Sequence, residues 1–363
     1  MTATTDHSMP LWATLAPALA IGLLGLKLGG VVSTQSLAVL ILAVALLGAS
    51  VFAAVHHAEV LALKLGEPFG SILLAIAVTV IEVALILSIL LSKAPGSEAV
   101  ARDTVYSAVM IVLNGVIGLC LVMGARRHRQ QTFQVDGASA TLAVLGTLAV
   151  FALIMPNFTD AVRGPEYAPI QLLVVGAVSL ALYIVFIFVQ TVRHREYFVD
   201  ETDMTPGGNR PSGAVSAASA VLLLVSLTAV VVLAKVLSEP LNLAVQKAGL
   251  PVSFVGVVIA SVVLLPEGVA AMKAALLNRL QSSINLALGS AVASIGLTIP
   301  AVALVSHIFD MPLVLGLSDE NMVLLMLTLF AATLTLGTGR TTVLQGAVHL
   351  VIFSVFLLLS AIP

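Results

Sequence analysis

The sequence predicts an all-α integral membrane protein with about 11 transmembrane helices, arranged as one N-terminal helix followed by a 5+5 inverted repeat. Composition, the length of the apolar runs and the position of one long polar stretch predict this fold class. Of the 363 residues, 60% are hydrophobic and 9% are charged, whereas soluble domains carry about 25% charged residues. Apolar runs of about 20 residues, the length that crosses a bilayer, recur along the chain.

These apolar runs give eleven candidate helices. The first six lie near residues 11–30, 35–55, 68–92, 104–124, 138–156 and 169–192. The other five lie near residues 213–237, 252–272, 283–308, 320–337 and 343–362. The runs lack the alternation that marks the strands of a membrane barrel. Because no basic region and no convincing cleavage site accompany the first run, we interpret it as a retained span.

The long polar stretch at 193–212 divides the chain once the first helix is set aside. We therefore predict an N-terminal transmembrane helix at 1–30, a first half at 31–192, a cytoplasmic linker loop at 193–212 and a second half at 213–363. Each half holds five spans, and an odd number gives the halves opposite orientations, as in the inverted repeats of many secondary transporters. The acidic residues of the linker are interpreted as a solvated loop rather than a cation sensor.

The distribution of Lys and Arg predicts the orientation. Alternating the spans across the membrane puts ten of these residues on one side and six on the other. The densest cluster, RRHR at 126–129, lies on the richer side. Since cytoplasmic loops carry the excess, we expect a multi-pass protein of the cell (inner) membrane with its N-terminus in the cytoplasm and its C-terminus outside.

Composition also limits the classes of partner. The net charge of −2 argues against binding to nucleic acid. Cys120 is the single cysteine, which excludes a disulfide framework and a cysteine metal cluster. The expected surroundings are the lipid bilayer, and no resident cofactor is expected.

Two acidic residues lie deep inside predicted spans, whereas the other Asp and Glu residues lie in loops or at helix ends. They are Glu82 and Glu267. An ionisable group at this depth costs about 2.5–3.5 kcal/mol on insertion scales, so it marks an ion path more often than a neutral, hydrogen-bonded carboxyl. Each belongs to the second helix of its half, and an inverted two-fold would bring the two carboxylates together near the midplane. We therefore predict that both bind a metal cation and protons.

Several neighbours of these carboxylates are candidate supporting residues. Pro266 and Gly268 flank Glu267 and are expected to break its helix, which would free carbonyl groups for a cation. The next helix offers the oxygen atoms of Asn285 and Ser290, and hard cations favour oxygen ligands. Small-residue helix packing would explain this composition equally well. In the first half, the corresponding helix offers Asn114.

A site shared by a cation and protons predicts exchange. Burial favours the protonated carboxyl and a bound cation favours the ionised one, so each ligand displaces the other. Two other classes are considered. A passive cation channel could also use glutamates, whereas an intramembrane enzyme would need a metal pair, a nucleophile with its base or paired aspartates, and none is visible.

The residues resemble a known family. The segments GEPFGSILLAIAVTVIEVALI at 66–86 and LLPEGVAAMKAALLNRLQSSINLALGSAVASIGLTIP at 264–300 are similar to the two alpha-repeats of the calcium/cation antiporter superfamily, and within it to the bacterial ChaA-type exchangers. The resemblance includes DTVYSAVMIV at 103–112 and GRTTVLQGAVHL at 339–350. It implies a 5+5 helix core, a site on the repeat glutamates Glu82 and Glu267, and exchange of calcium, sodium or potassium for protons.

Three histidines have simpler interpretations. His56 and His57 are adjacent and lack the spacing that places two histidines on one zinc ion. We expect both to lie at the membrane interface. His349 lies inside the last predicted helix, where a packed, hydrogen-bonded side chain is more common than a metal ligand.

Overall fold

The computed structural model describes residues 9–31, 36–66, 69–92, 96–198 and 211–363. Within these ranges, eleven helical segments are long and apolar enough to cross a membrane. This confirms the predicted all-α membrane fold and its number of spans. Most of the predicted linker at 193–212 lies outside the described residues.

The helices follow the predicted order, with one composite span. Helices α1 to α3 are Leu11–Leu28, Leu37–Leu65 and Phe69–Leu90. The fourth span joins α4 (Val100–Met110), a π-helical turn (Ile111–Val116) and α5 (Ile117–His128). The remaining helices are α6 (Val135–Ala149), α7 (Pro169–Phe188), α8 (Gly213–Lys247), α9 (Phe254–Leu276), α10 (Leu280–Phe309), α11 (Asp319–Leu336) and α12 (Val343–Ala361).

Two helices are longer than predicted. Helix α2 continues to Leu65 rather than ending near 55, and α8 continues to Lys247 rather than ending near 237. Both extensions contain charged residues, and α8 also contains Pro240. A helix keeps its backbone hydrogen bonds beyond the hydrocarbon layer, so its end is not marked by the end of the apolar run.

Contacts group the described residues into two compact units. The first unit is drawn from residues 1–92 and 205–244, and the second from residues 93–204 and 245–363. The first therefore holds α1, α2, α3 and most of α8. These units differ from the predicted halves, which remain a prediction about internal repetition.

In the first unit, α2 packs against both α1 and α3. His57 is fully buried, with Nε2 3.1 Å from the carbonyl oxygen of Ala13 and Nδ1 3.4 Å from Oγ of Ser219. His57 is therefore a packed, hydrogen-bonded residue, because α1 and α8 supply partners for its ring. Its place at the membrane interface stays a prediction. The ring of His56 lies 5.5 Å from that of Trp12.

In the second unit, α9 runs parallel to the composite span. Three contacts follow in the same order along both elements: Gly256 with Asp103, Gly268 with Val116, and Leu276 with His128. Two spans that run parallel must be separated in the chain by an odd number of other spans. The spacing here agrees with the alternating arrangement inferred from the sequence.

The connecting segments of the second unit meet in two groups. Strand β1 (Gln131–Thr132) pairs with β2 (Arg340–Thr341), which brings the segments before α6 and α12 together. The second group joins the segment after α6 to the segments before α11 and α4: Val314 pairs with Glu166, and the N–H of Val314 donates to the carbonyl of Glu98. The predicted cytoplasmic side corresponds to the first group, and this assignment remains a prediction.

Candidate functional site

Glu82 lies on the buried face of α3, in the first unit, and is 3% exposed. Thr79 and Ile86, about one turn away on either side, are also buried. The side chains of Ile76 and Val80 are exposed. The carboxylate therefore faces protein rather than lipid.

Glu267 has the same kind of setting on α9, in the second unit, and is 7% exposed. Val263 and Ala271, one turn before and one turn after it, are buried. Leu265 and Val269 form the exposed face of the same helix. Both glutamates that the sequence selected thus lie on the interior faces of membrane-spanning helices.

The predicted helix break beside Glu267 does not occur. Helix α9 is continuous from Phe254 to Leu276 and contains Pro266. A proline removes a single N–H from the ladder, so the carbonyl four residues earlier, that of Val262, loses its usual donor. Gly268 instead serves packing, because a β-carbon there would lie 3.3 Å from Cγ2 of Val116. Helix α9 therefore stays helical through Pro266 and packs closely on the composite span beside it.

The contact between Gly268 and Val116 fixes what lies beside Glu267. Val116 ends the π-helical turn Ile111–Val116, so this turn lies level with Glu267. An extra residue in a helical turn widens it, and such turns are frequent at functional sites. Asn114, a predicted supporting residue, lies within this turn and is fully buried.

Helix α10 follows α9 after a short connection and packs on it. At about 1.5 Å of rise per residue, Glu267 lies about 14 Å from the end of α9, and Ser290 about 15 Å from the start of α10. Ser290 is therefore level with Glu267 and is half-buried. The more deeply buried hydroxyl groups on this part of α10 belong to Ser294 and Thr298.

Asn285 lies closer to the start of α10, about 8 Å from it by the same rise. Its amide nitrogen donates to the carbonyl of Phe198, and its oxygen accepts from Nε2 of Gln281 at 3.1 Å. Gln281 also donates to the carbonyl of Tyr197 at 3.2 Å. Asn285 thus anchors the segment that follows α7, and its role as a cation ligand stays a prediction that these contacts do not favour.

Asn114 belongs to a buried polar cluster in the second unit. Its Nδ2 donates to Oγ1 of Thr328 at 2.9 Å, and its Oδ1 lies 3.0 Å from Nδ1 of His349. Nε2 of His349 lies 3.2 Å from Oγ1 of Thr335. His349 is fully buried, which confirms that it is a packed, hydrogen-bonded residue. The sequence did not indicate that its partner would be Asn114, because 235 positions separate them.

A partly buried ion pair was also missed. Nε of Arg102 lies 2.8 Å from Oδ1 of Asp103, and the guanidinium also donates to the carbonyl of Gly316 at 3.2 Å. The side chain of Asp103 is 12% exposed. The sequence placed Asp103 among the acidic residues of loops and helix ends, and the start of α9 covers it there through Gly256.

Across the ranges that the structure describes, no three His, Cys, Asp or Glu side chains are close enough to hold a metal ion. Hydroxyl, amide and backbone carbonyl groups are suitable ligands for hard cations.

Comparison with known proteins identifies the family. The family described as sodium/calcium exchanger protein matches the chain twice, over residues 35–192 and 218–362. The chain belongs to this family. It is therefore a membrane exchanger and not an intramembrane enzyme. The two matched segments fall within the predicted halves, and the predicted linker lies between them.

Curated relatives match over almost the whole chain. A protein of Sinorhizobium fredii named putative ionic transporter y4hA is 57% identical over 98% of this chain and 97% of its own length. The sodium-potassium/proton antiporter ChaA of Escherichia coli is 36% identical over 93% of each chain. A Ca²⁺/H⁺ antiporter of Aphanothece halophytica is 25% identical over 82% of this chain and 83% of that protein.

Solved structures of the same fold exist. The structure of native YfkE superimposes with a TM-score of 0.73 at 15% identity, covering 97% of this chain and 99% of that one. A structure of the sodium-calcium exchanger NCX_Mj has a TM-score of 0.52 at 17% identity over 88% of this chain and 98% of that one. At these identities the similarity shows the fold.

Proposed function

We propose that this exchanger moves a metal cation across the membrane in return for protons, and that Glu82 and Glu267 form the shared binding site. The observation that carries the proposal is that both are buried carboxylates on the interior faces of spanning helices. Burying an ionisable side chain in a bilayer costs free energy, and a residue of this kind usually has a function.

The proposed exchange follows from charge. An ionised carboxylate in a low-dielectric interior is unfavourable until a proton or a cation neutralises it. Protons and the cation therefore compete for the same oxygen atoms, and release of one favours binding of the other. Glu82 and Glu267 together supply two negative charges, which either two protons or one divalent cation would balance.

Transport further requires that the site opens to each side in turn. In secondary transporters with inverted repeats, one repeat or bundle rocks against the other around a site near the midplane. We propose the same for the two halves at 31–192 and 213–363. Ser290 and Asn114 are the proposed neutral ligands, because each lies on a neighbouring helix at the level of Glu267.

Calcium is the proposed cation, with sodium or potassium as the second candidate. Charge balance with two glutamates favours a divalent ion, and one relative is named as a Ca²⁺/H⁺ antiporter. The relative named as a sodium-potassium/proton antiporter is more similar to this chain, and this observation favours monovalent cations. A direct comparison of the three ions is therefore part of the test.

The experiment uses the purified protein in proteoliposomes that contain a pH-sensitive dye. Adding calcium, sodium or potassium outside should drive protons out of the vesicles, and an imposed pH gradient should drive cation uptake against its own gradient. A passive channel would let the cation cross without uptake against its gradient. Cation flux that is independent of the pH gradient would contradict the proposed exchange.

A further inference from the structure

The buried cluster around Asn114 forms one continuous chain of hydrogen bonds. It links the π-helical turn to α11 through Thr328 and to α12 through His349. Thr335 on α11 completes it at Nε2 of His349. At the other end, Sδ of Met110 lies 3.4 Å from Oγ1 of Thr328 and 3.8 Å from Nδ2 of Asn114.

Met110 determines which atom donates and which accepts in each hydrogen bond of this buried cluster. A thioether sulfur can only accept, so the hydroxyl of Thr328 donates to it and accepts from Nδ2 of Asn114. This fixes the orientation of the amide, whose oxygen must then accept from Nδ1–H of His349. Nε2 of His349 remains as an acceptor for the hydroxyl of Thr335.

An amide oxygen has two lone pairs, and His349 occupies one of them. A further ligand of Asn114 would therefore use the other lone pair. Its direction is fixed, because both ends of the amide are held by side chains that are themselves buried. Preorganisation of this kind reduces the cost of ordering a ligand group when a cation binds.

The cluster also lies at the right depth. Asn114 is two residues from Val116, and Val116 contacts Gly268, the residue after Glu267. The packing of α12 on the composite span is close here, since a β-carbon on Gly118 would lie 3.1 Å from Cβ of His349. His349 therefore has little freedom to move away from Asn114.

We propose that His349 is a positioning residue that holds the amide oxygen of Asn114 in place for the transported cation. This inference rests on the proposed function, because it assumes that the cation binds beside Glu267. His349 itself does not contact the cation. Its effect is on cation affinity, through the geometry of one neutral ligand.

Two substitutions separate positioning from packing. The amide nitrogen of asparagine stands as many bonds from Cβ as Nδ1 of histidine does, so His349→Asn keeps a donor toward Asn114. The amide nitrogen of glutamine corresponds to Nε2, so His349→Gln keeps a group near Thr335 but loses the donor toward Asn114. Both replace a ring by a smaller amide.

His57→Gln is the matched control. His57 is also fully buried and hydrogen-bonded, but its partners Ala13 and Ser219 lie in the first unit. The measurement is the half-saturating concentration of calcium, sodium or potassium and the maximal rate of proton movement in proteoliposomes. Thermal unfolding of each purified variant is recorded in parallel.

We expect His349→Gln to raise the half-saturating cation concentration about tenfold, which corresponds to about 1.4 kcal/mol. His349→Asn should restore most of the affinity, and His57→Gln should change thermal stability alone. Equal affinity in wild type and His349→Gln would overturn the inference, as would equal losses in the Asn and Gln variants. If Glu267→Gln leaves exchange intact, the proposed function fails instead, whatever the histidine variants show.

Discussion

Gly268 on α9 packs against Val116 so closely that a β-carbon at 268 would lie 3.3 Å from Cγ2 of that valine. This contact sets Glu267 level with the π-helical turn that carries Asn114. A second close approach on the same pair of elements involves Gly256, where a β-carbon would lie 2.5 Å from the carbonyl carbon of Asp103. The two glycines thus keep α9 in register with the composite span.

The first prediction concerns this register. Gly256→Ala should lower the free energy of unfolding by about 1–3 kcal/mol, because the methyl group meets backbone rather than a flexible side chain. Thermal unfolding of the detergent-solubilised protein measures the change. Gly289→Ala on α10 is the control, since no atom lies within 4 Å of its added β-carbon, and it should be neutral or stabilising. Equal melting temperatures for Gly256→Ala and wild type would show that close packing of α9 on α4 at Gly256 does not contribute to stability.

A second prediction distinguishes Asn285 from Ser290, two residues of α10 that were both predicted from the sequence as cation ligands. Ser290→Ala should raise the half-saturating cation concentration, because it removes an oxygen at the level of Glu267. Asn285→Ala should leave cation affinity unchanged but accelerate hydrogen–deuterium exchange at 194–198, the segment that its amide anchors. A larger loss of affinity in Asn285→Ala than in Ser290→Ala would restore the sequence-based assignment of Asn285 as a ligand.

The third prediction concerns the ion pair at the start of α4. Arg102→Met should destabilise the protein by about 1–3 kcal/mol, because it leaves the partly buried carboxylate of Asp103 without its cation. The double variant Arg102→Met with Asp103→Asn should recover part of that loss, since it removes the uncompensated charge. Thermal unfolding of the two single variants and the double variant gives the coupling. If the stability changes of the two single variants simply add up in the double variant, the ion pair contributes little to stability.

Much of the fold could be predicted because a membrane span can be recognised from its apolar composition and its length. The eleven apolar runs correspond to eleven spans among the residues that the structure describes, because the absence of water in the bilayer forces each run to be a helix. Helix ends were less accurate, since α2 and α8 continue into polar sequence without a stop signal. The π-helical turn at Ile111–Val116 has no counterpart in the apolar pattern.

The candidate site was predictable in part for a related reason. Glu82 and Glu267 stand out because charge is rare inside a span, and both are buried. The prediction of a helix break at Pro266 was wrong, because α9 is continuous and a proline removes only one N–H from its hydrogen-bond ladder. The partners of Asn114 are distant in sequence, so only the packing of α11 and α12 reveals them.

A fourth prediction follows from competition at one site. Lowering the pH on the cation-binding side should raise the half-saturating cation concentration and leave the maximal rate unchanged at saturating cation. Initial rates of cation uptake over a matrix of pH and cation concentration measure both quantities. A fall in maximal rate with no change in half-saturation would indicate that protons act at a separate site.

In the proposed exchange, the carboxylates of Glu82 and Glu267 carry both the cation and the protons. Glutamine keeps the size and hydrogen-bonding capacity of glutamate but cannot ionise, so Glu82→Gln and Glu267→Gln should fold and insert normally. Gln also avoids the cost of a charge in the bilayer, and neither variant should be less stable than wild type.

The most direct test measures cation-driven proton movement in proteoliposomes for the two variants beside wild type, with equal amounts of inserted protein. Each substitution alone should abolish exchange with calcium, sodium and potassium. Loss in one variant only would assign the cation and the protons to different glutamates. Normal exchange in both variants would contradict the shared site.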